Sequence, residues 1–136
     1  MDNRSAQPSA RRIARLPAPA RHLRHQVTTW ALAHGFPVDY DALTVILGAK
    51  SESPTPLRRW TEDDVWRLWW LDLSLWCGRY RVDPPAGLAQ TLRTLFAHLD
   101  AESGFVSSSD SVAQLDEALE AAGAADLEST SQRARA

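Results

Sequence analysis

The stretch RRWTEDDVWRLWWLDLSLWCGRYRV, residues 58–82, decides the fold because it holds five of the six tryptophans in the chain. Thr61 is followed three residues later by an acid, which is the spacing of an N-terminal capping box. Three consecutive acids at 62–64 also suit the positive end of a helix dipole. We therefore predict a helix from Thr61 to about Cys77, with Gly78 as its natural stop.

The predicted helix is apolar around most of its girth when its residues are placed on a helical wheel. Three arrangements of the tryptophans fit this pattern. All of them lie in the core, a subset stays exposed and binds a partner or a second copy, or some of them form an aromatic pocket for a ligand. The exposed arrangement makes Trp66, Trp70 and Arg67 the partner-binding residues.

Asp72 is the one carboxylate inside the apolar run of this helix. The wheel places it between Val65 and Leu68, so we expect it to be buried and therefore paired or hydrogen-bonded. Indole N–H groups and the arginines at 58, 59, 79 and 81 are the candidate donors. We interpret Asp72 as a structural buried polar residue, because catalysis needs a second titratable group and no spacing supplies one.

Apolar residues at helical spacing predict helices on both sides of this stretch. A first helix runs from about Ala18 to His34, where Gly35 ends it, and a second segment covers residues 39–48, where Gly48 ends it. Because the run LTVIL also suits a strand, the type of that second segment stays open.

Two more helices follow the tryptophan-rich one. One begins after the Asp-Pro-Pro sequence at 83–85, and the other is capped by Ser109 or Asp110 and ended by Gly123. The fold class is therefore all-α: a small single-domain bundle of about five helices with a central tryptophan-rich helix. We assign residues 1–17 to a disordered basic arm, 18–123 to the helical domain and 124–136 to a disordered tail.

Charge is distributed unequally along the chain. Residues 1–25 carry six arginines and one acid, whereas residues 100–136 carry eight acids and two arginines. A basic arm can neutralise phosphates without reading sequence, so nucleic-acid binding is the alternative to protein binding. The residues that would contact nucleic acid are Arg11, Arg12, Arg15, Arg21 and Arg24.

The sequence does not support a secreted, membrane-spanning, metal-binding or enzymatic protein. Cys77 is the single cysteine, so no disulfide can form within the chain, and no secretory signal is visible. The longest apolar-rich stretch, residues 65–77, is interrupted by polar residues and too short to span a bilayer, so we expect a cytoplasmic protein with no membrane partner. His22 and His25 lack neighbouring ligands for a metal. With no catalytic motif found, we expect a non-enzymatic interaction or regulatory module that needs no cofactor.

Overall fold

The structure, a computed structural model, describes the backbone of residues 16–135 and the side chains of residues 16–123. Within those residues it is all-α, which confirms the predicted fold class, and the segment at 39–48 is helical. The five helices are α1 (Ala18–His34), α2 (Tyr40–Ser51), α3, α4 (Leu88–Ala101) and α5 (Val112–Arg135). Helix α3 has three consecutive parts: α-helical Glu62–Arg67, π-helical Leu68–Asp72 and α-helical Leu73–Tyr80.

Helix α2, rather than the tryptophan-rich helix, occupies the most enclosed position. It packs against α1, α3 and α4, and all of residues 42–50 are buried. Its run LTVILGA is apolar on every side, which is the pattern of a helix surrounded by others. Helix α3 packs against α2 and α5 and keeps one side exposed.

Capping groups at the helix ends follow the sequence signals in two places. Gly35 ends α1 in the left-handed conformation, as predicted. The capping box at the start of α3 is also confirmed: the Thr61 hydroxyl accepts from the backbone N–H of Asp64, whose carboxylate accepts from the Thr61 N–H. Both of these predicted signals act through neighbouring residues.

Three glycines predicted to end helices do not end them. Helix α2 continues past Gly48 to Ser51, and α3 continues past Gly78 until Arg81 caps it in the left-handed conformation. Helix α5 likewise runs through Gly123. A glycine inside a helix costs only about 1 kcal/mol, which tertiary contacts offset. At Gly48 the contact is visible, because a Cβ there would lie 2.6 Å from the indole of Trp76.

The starts of α4 and α5 also differ from prediction. Helix α4 begins at Leu88 after Gly87, later than the Asp-Pro-Pro signal indicates. Asp110 caps α3 instead of α5, because its carboxylate accepts from the N–H of Glu62, and the Ser109 hydroxyl accepts from the N–H of Trp60 just before α3. The α5 N-terminus uses the next residue, Ser111, with Gln114 as its capping-box partner.

The ends of the predicted domain are only partly described. Of the arm assigned to residues 1–17, the structure describes Leu16, which is buried in the core, and Pro17, which precedes α1. The backbone of residues 124–135 continues α5, and residues 1–15 lie outside the described chain. The assignment of an arm and a tail stays a prediction.

The contact between Gly48 and Trp76 gives a test of the packing of α2 against α3. We expect Gly48→Ala to lower the free energy of unfolding by about 1–3 kcal/mol, because the added methyl group overpacks a closed interface. Gly78→Ala is the matched control, since a Cβ there meets nothing within 4 Å. That variant should gain up to about 1 kcal/mol from helix propensity. Urea denaturation measures both, and equal effects would contradict the proposed contact.

Candidate functional site

Helix α3 has an exposed stripe along its whole length. The exposed positions recur in pairs every four residues: 62 and 63, 66 and 67, 70 and 71, 74 and 75, 78 and 79. The middle of this stripe is apolar: Leu75 is 61% exposed, Trp70 51%, Leu71 43% and Trp66 40%. Monomeric proteins rarely leave several large apolar side chains exposed side by side, so this surface is the leading candidate site.

The tryptophans of residues 58–82 therefore divide between core and surface. Trp60 and Trp76 are buried, Trp69 is half-buried, and Trp66 and Trp70 are exposed. The ring of Trp60 meets Phe96 of α4 edge to face, with 5.2 Å between ring centroids. One group of tryptophans holds α3 against the bundle, and the other is left for contact.

The π-helical part of α3 keeps the stripe on one side. The backbone N–H of Leu73 donates to the carbonyl of Leu68, five residues back, so this turn holds one more residue than an α-helical turn. On a regular wheel Leu75 falls beside buried Leu68. The wider turn rotates every later residue backwards, which brings Leu75 into line with Trp70 and Leu71.

Asp72 is buried, as its position in the sequence predicts, and Arg67 is its partner. The Arg67 Nε donates to the Asp72 Oδ1 at 3.2 Å, across the π turn that separates them by five residues. None of the four arginines proposed from sequence is bonded to Asp72. Arg58 donates to Gln26, Arg59 pairs with Asp64, Arg79 pairs with Glu52, and Arg81 caps α3.

A concave surface adjoins the stripe where α3 crosses the end of α2. Its volume is about 560 Å³, and Leu75 and Trp76 lie in its wall beside Ala49. The Arg67–Asp72 and Arg79–Glu52 ion pairs also line it. A site with apolar walls and fixed charges can accept a large side chain from a partner and hold its orientation.

Lys50, the chain's single lysine, is buried between α2 and α3. Its Nζ donates to the Thr55 hydroxyl, lies 3.8 Å from the Asp64 carboxylate and lies 4.5 Å from the centroid of the Trp60 ring. Burial lowers the pKa of Lys50 to about 8, with Asp64 opposing the shift. Because its amine is buried and in contact with Thr55, Asp64 and Trp60, we interpret Lys50 as a structural residue that joins α2 to the start of α3.

A second groove, between α1 and α4, contains a buried histidine that the sequence did not single out. The groove measures about 530 Å³ and is lined by His98 together with His25, Arg58 and Glu102. Burial lowers the pKa of His98, and its Nδ1 has no hydrogen-bond partner among the described residues. No second described group orients this imidazole in the way that a carboxylate orients the histidine of a catalytic triad.

The arginines of the nucleic-acid alternative are described only in part. Arg21 donates to the Leu16 carbonyl at 2.9 Å. Arg24 donates to the Thr44 hydroxyl at 3.0 Å and lies over the Tyr40 ring. Both therefore make contacts within the chain. Arg11, Arg12 and Arg15 lie outside the described residues.

The described part of the chain has few features of a metal site, a membrane-spanning helix or a nucleophilic cysteine. Its His, Cys, Asp and Glu side chains form no group of three or more that could hold a metal ion. No helix within it is long and apolar enough to cross a membrane. Burial raises the pKa of the Cys77 thiol, which opposes formation of a nucleophilic thiolate.

Comparisons with protein-family models, curated proteins and solved structures found no match.

The structure brings the three sequence-predicted partner-binding residues together. Trp66, Arg67 and Trp70 all lie on the exposed stripe. The apolar residues that complete it, Leu71 and Leu75, were not among the predicted residues. Leu71 falls among polar residues on the wheel, which is a usable signal for exposure. Leu75 has no such signal, because its exposure depends on the π turn.

The Arg67–Asp72 pair predicts an asymmetric response to mutation. Arg67→Met leaves a buried carboxylate without its donor, so we expect the free energy of unfolding to fall by about 1–3 kcal/mol. Asp72→Asn keeps an acceptor oxygen and should cost less, and the double variant should lose less than the sum. Arg93→Met is the control, because Arg93 and Glu120 form an exposed pair at 4.0 Å. Additive losses in urea denaturation would contradict the pairing.

Buried Lys50 predicts a rise of stability with pH. Between the folded pKa of about 8 and the ordinary value of 10.5, the unfolded chain binds a proton that the folded chain does not. The free energy of unfolding should therefore rise with pH across this interval, by at most about 3 kcal/mol, relative to Lys50→Met. Denaturation of both proteins at a series of pH values measures the difference and cancels groups that they share. A difference independent of pH would show that Lys50 is solvated.

Proposed function

We propose that this chain is a non-enzymatic protein-interaction module that binds a partner protein through the exposed stripe of α3. The observation that carries the proposal is the row of Trp66, Trp70, Leu71 and Leu75, all exposed on one side of one helix. Tryptophan is enriched among residues that dominate binding energy, because its large ring loses much apolar surface to water on contact.

The stripe is held rigidly, which favours recognition over non-specific adhesion. The start of α3 is fixed by its own capping box and by Asp110. Its middle is fixed by the Arg67–Asp72 bond, and its buried side packs on α2. A surface ordered before binding loses little conformational entropy when the partner arrives.

The chemistry of the stripe indicates the kind of partner. A fitting partner has an apolar strip of similar length that covers the middle of the stripe. It also has charged residues that face the acidic and basic ends of the stripe. A helix with large side chains at intervals of three and four residues meets both requirements. We place this role in the cytoplasm and suggest that it is regulatory, since a module that only binds can act by occupying its partner.

Nucleic-acid binding through the basic N-terminus stays the alternative prediction. The contacts of Arg21 and Arg24 within the chain do not favour it. A salt-sensitive shift of duplex DNA, lost when Arg11, Arg12 and Arg15 are changed to alanine, would support it.

Site-specific photocrosslinking tests the proposed function. A photoreactive phenylalanine analogue replaces Trp70 in cells of the native host, and in the control it replaces Leu32, which is 75% exposed on α1. We expect position 70 to form a discrete adduct with one protein, identified by mass spectrometry, and position 32 to form none. The absence of any adduct at position 70, or equal adducts at both positions, would contradict binding through the stripe.

A further inference from the structure

The exposed stripe of α3 has opposite charges at its two ends. Glu62 and Asp63 are exposed at the N-terminal end, and Arg79 is exposed at the C-terminal end. The Nη1 of Arg79 donates to Glu52, yet two-thirds of the Arg79 side chain stays exposed, so the guanidinium remains accessible to a partner. The large apolar residues lie between the two ends.

These residues are arranged symmetrically about the middle of the helix. The midpoint of the stripe falls between Trp70 and Leu71. Trp66 and Leu75 lie equally far from it on opposite sides, and so do Glu62 and Arg79. A two-fold axis through this point and perpendicular to α3 therefore brings Trp66 against Leu75, and Glu62 against Arg79, twice in each pair of helices.

We propose that the partner is a second copy of this chain, bound antiparallel through α3 about that two-fold axis. The proposal rests on the proposed function, because it uses the same surface, and it adds the identity of the partner. Charge complementarity favours this occupant: an antiparallel copy presents an arginine to each Glu62, whereas a parallel copy would place like charges together.

The small residues of the stripe give the helices room to approach. In the antiparallel arrangement Arg67 lies opposite Ser74, and Asp63 lies opposite Gly78, where an added Cβ meets nothing within 4 Å. The concave surface of about 560 Å³ beside Leu75 provides space for the ring of Trp66 from the other copy. In these two pairs the longer side chain therefore faces a small residue, and the ring of Trp66 faces a cavity.

The size of the stripe sets the expected affinity. At about 1.5 Å per residue α3 is nearly 30 Å long, and one face of such a helix buries less than the roughly 800 Å² per partner of a standard interface. We expect a reversible dimer with a dissociation constant of about micromolar strength or weaker. Sedimentation equilibrium should show the mass rising with concentration from 15.1 kDa towards twice that value.

Charge reversal tests the antiparallel pairing. Glu62→Arg and Arg79→Glu each put like charges together twice in a homodimer, so each variant alone should associate about tenfold or more weakly. An equimolar mixture of the two variants restores both opposite-charge contacts and should recover wild-type association. Glu117→Arg, at an exposed position of α5, is the matched control and should associate as the wild type does.

Each alternative outcome overturns the proposal. A wild-type protein that stays monomeric at every concentration rules out the dimer, and so does a stripe covered by the chain's own termini. The antiparallel pairing is ruled out if both charge-reversed variants associate as strongly as the wild type. It is also ruled out if their mixture does not recover wild-type association. A photocrosslink from position 70 to a different protein would support the proposed function and reject self-association, so the two proposals fail separately.

Crosslinking with isotope labels keeps the test decisive if a charge-reversed variant does not fold. Chains carrying the photoreactive residue at position 66 are mixed with wild-type chains labelled with ¹⁵N. We expect adducts that join an unlabelled chain to a labelled peptide containing Leu75. Adducts with labelled peptides from α1 or α5 instead would overturn the arrangement.

Discussion

The π-helical turn at Leu68–Asp72 is the constraint on which the surface of α3 depends. Because the turn holds one extra residue, it realigns the second half of the helix with the first. Leu75 then lies on the exposed side while Leu73 and Trp76 face the core. The same turn spaces Arg67 and Asp72 so that their side chains meet. One local change of helix geometry thus shapes the exposed stripe and satisfies the buried carboxylate beneath it.

Helix α3 is anchored at its beginning by chemistry from three segments of the chain. The Asp64 carboxylate completes the capping box of its own helix and also faces Lys50 from α2. Asp110, from the loop before α5, caps the same turn. Because these groups converge on the first turn, the stripe that follows has one orientation relative to the bundle.

Much of this fold was predictable because its signals are local. The number of helices, the end of α1 at Gly35 and the capping box at Thr61 each depend on a few neighbouring residues. Gly48 shows where local rules fail: the residue reads as a helix stop, but it is the place where Trp76 approaches α2. Local rules also fail at Ser109 and Asp110, since both bond backbone N–H groups at the start of α3, far back in the sequence, instead of capping α5.

The candidate site was predictable in composition but not in shape. Buried Asp72 follows from a wheel with a regular period, whereas the exposure of Trp66 and Trp70 was one of the arrangements that the wheel left open. The partner of Asp72 and the exposure of Leu75 do not follow from it, because both require a turn that breaks the period. His98 was missed for another reason: its position between α1 and α4 arises only when the helices pack.

The burial of Lys50 has a consequence for chemistry performed on the protein. No other residue of the chain carries a side-chain amine, and this one is 2% exposed. Reagents that acylate amines, and enzymes that join ubiquitin to lysine, therefore find no exposed lysine side chain on the folded protein. A lysine-specific protease has a single cleavage site, in the last turn of α2, so its rate of cutting reports how often that turn unfolds.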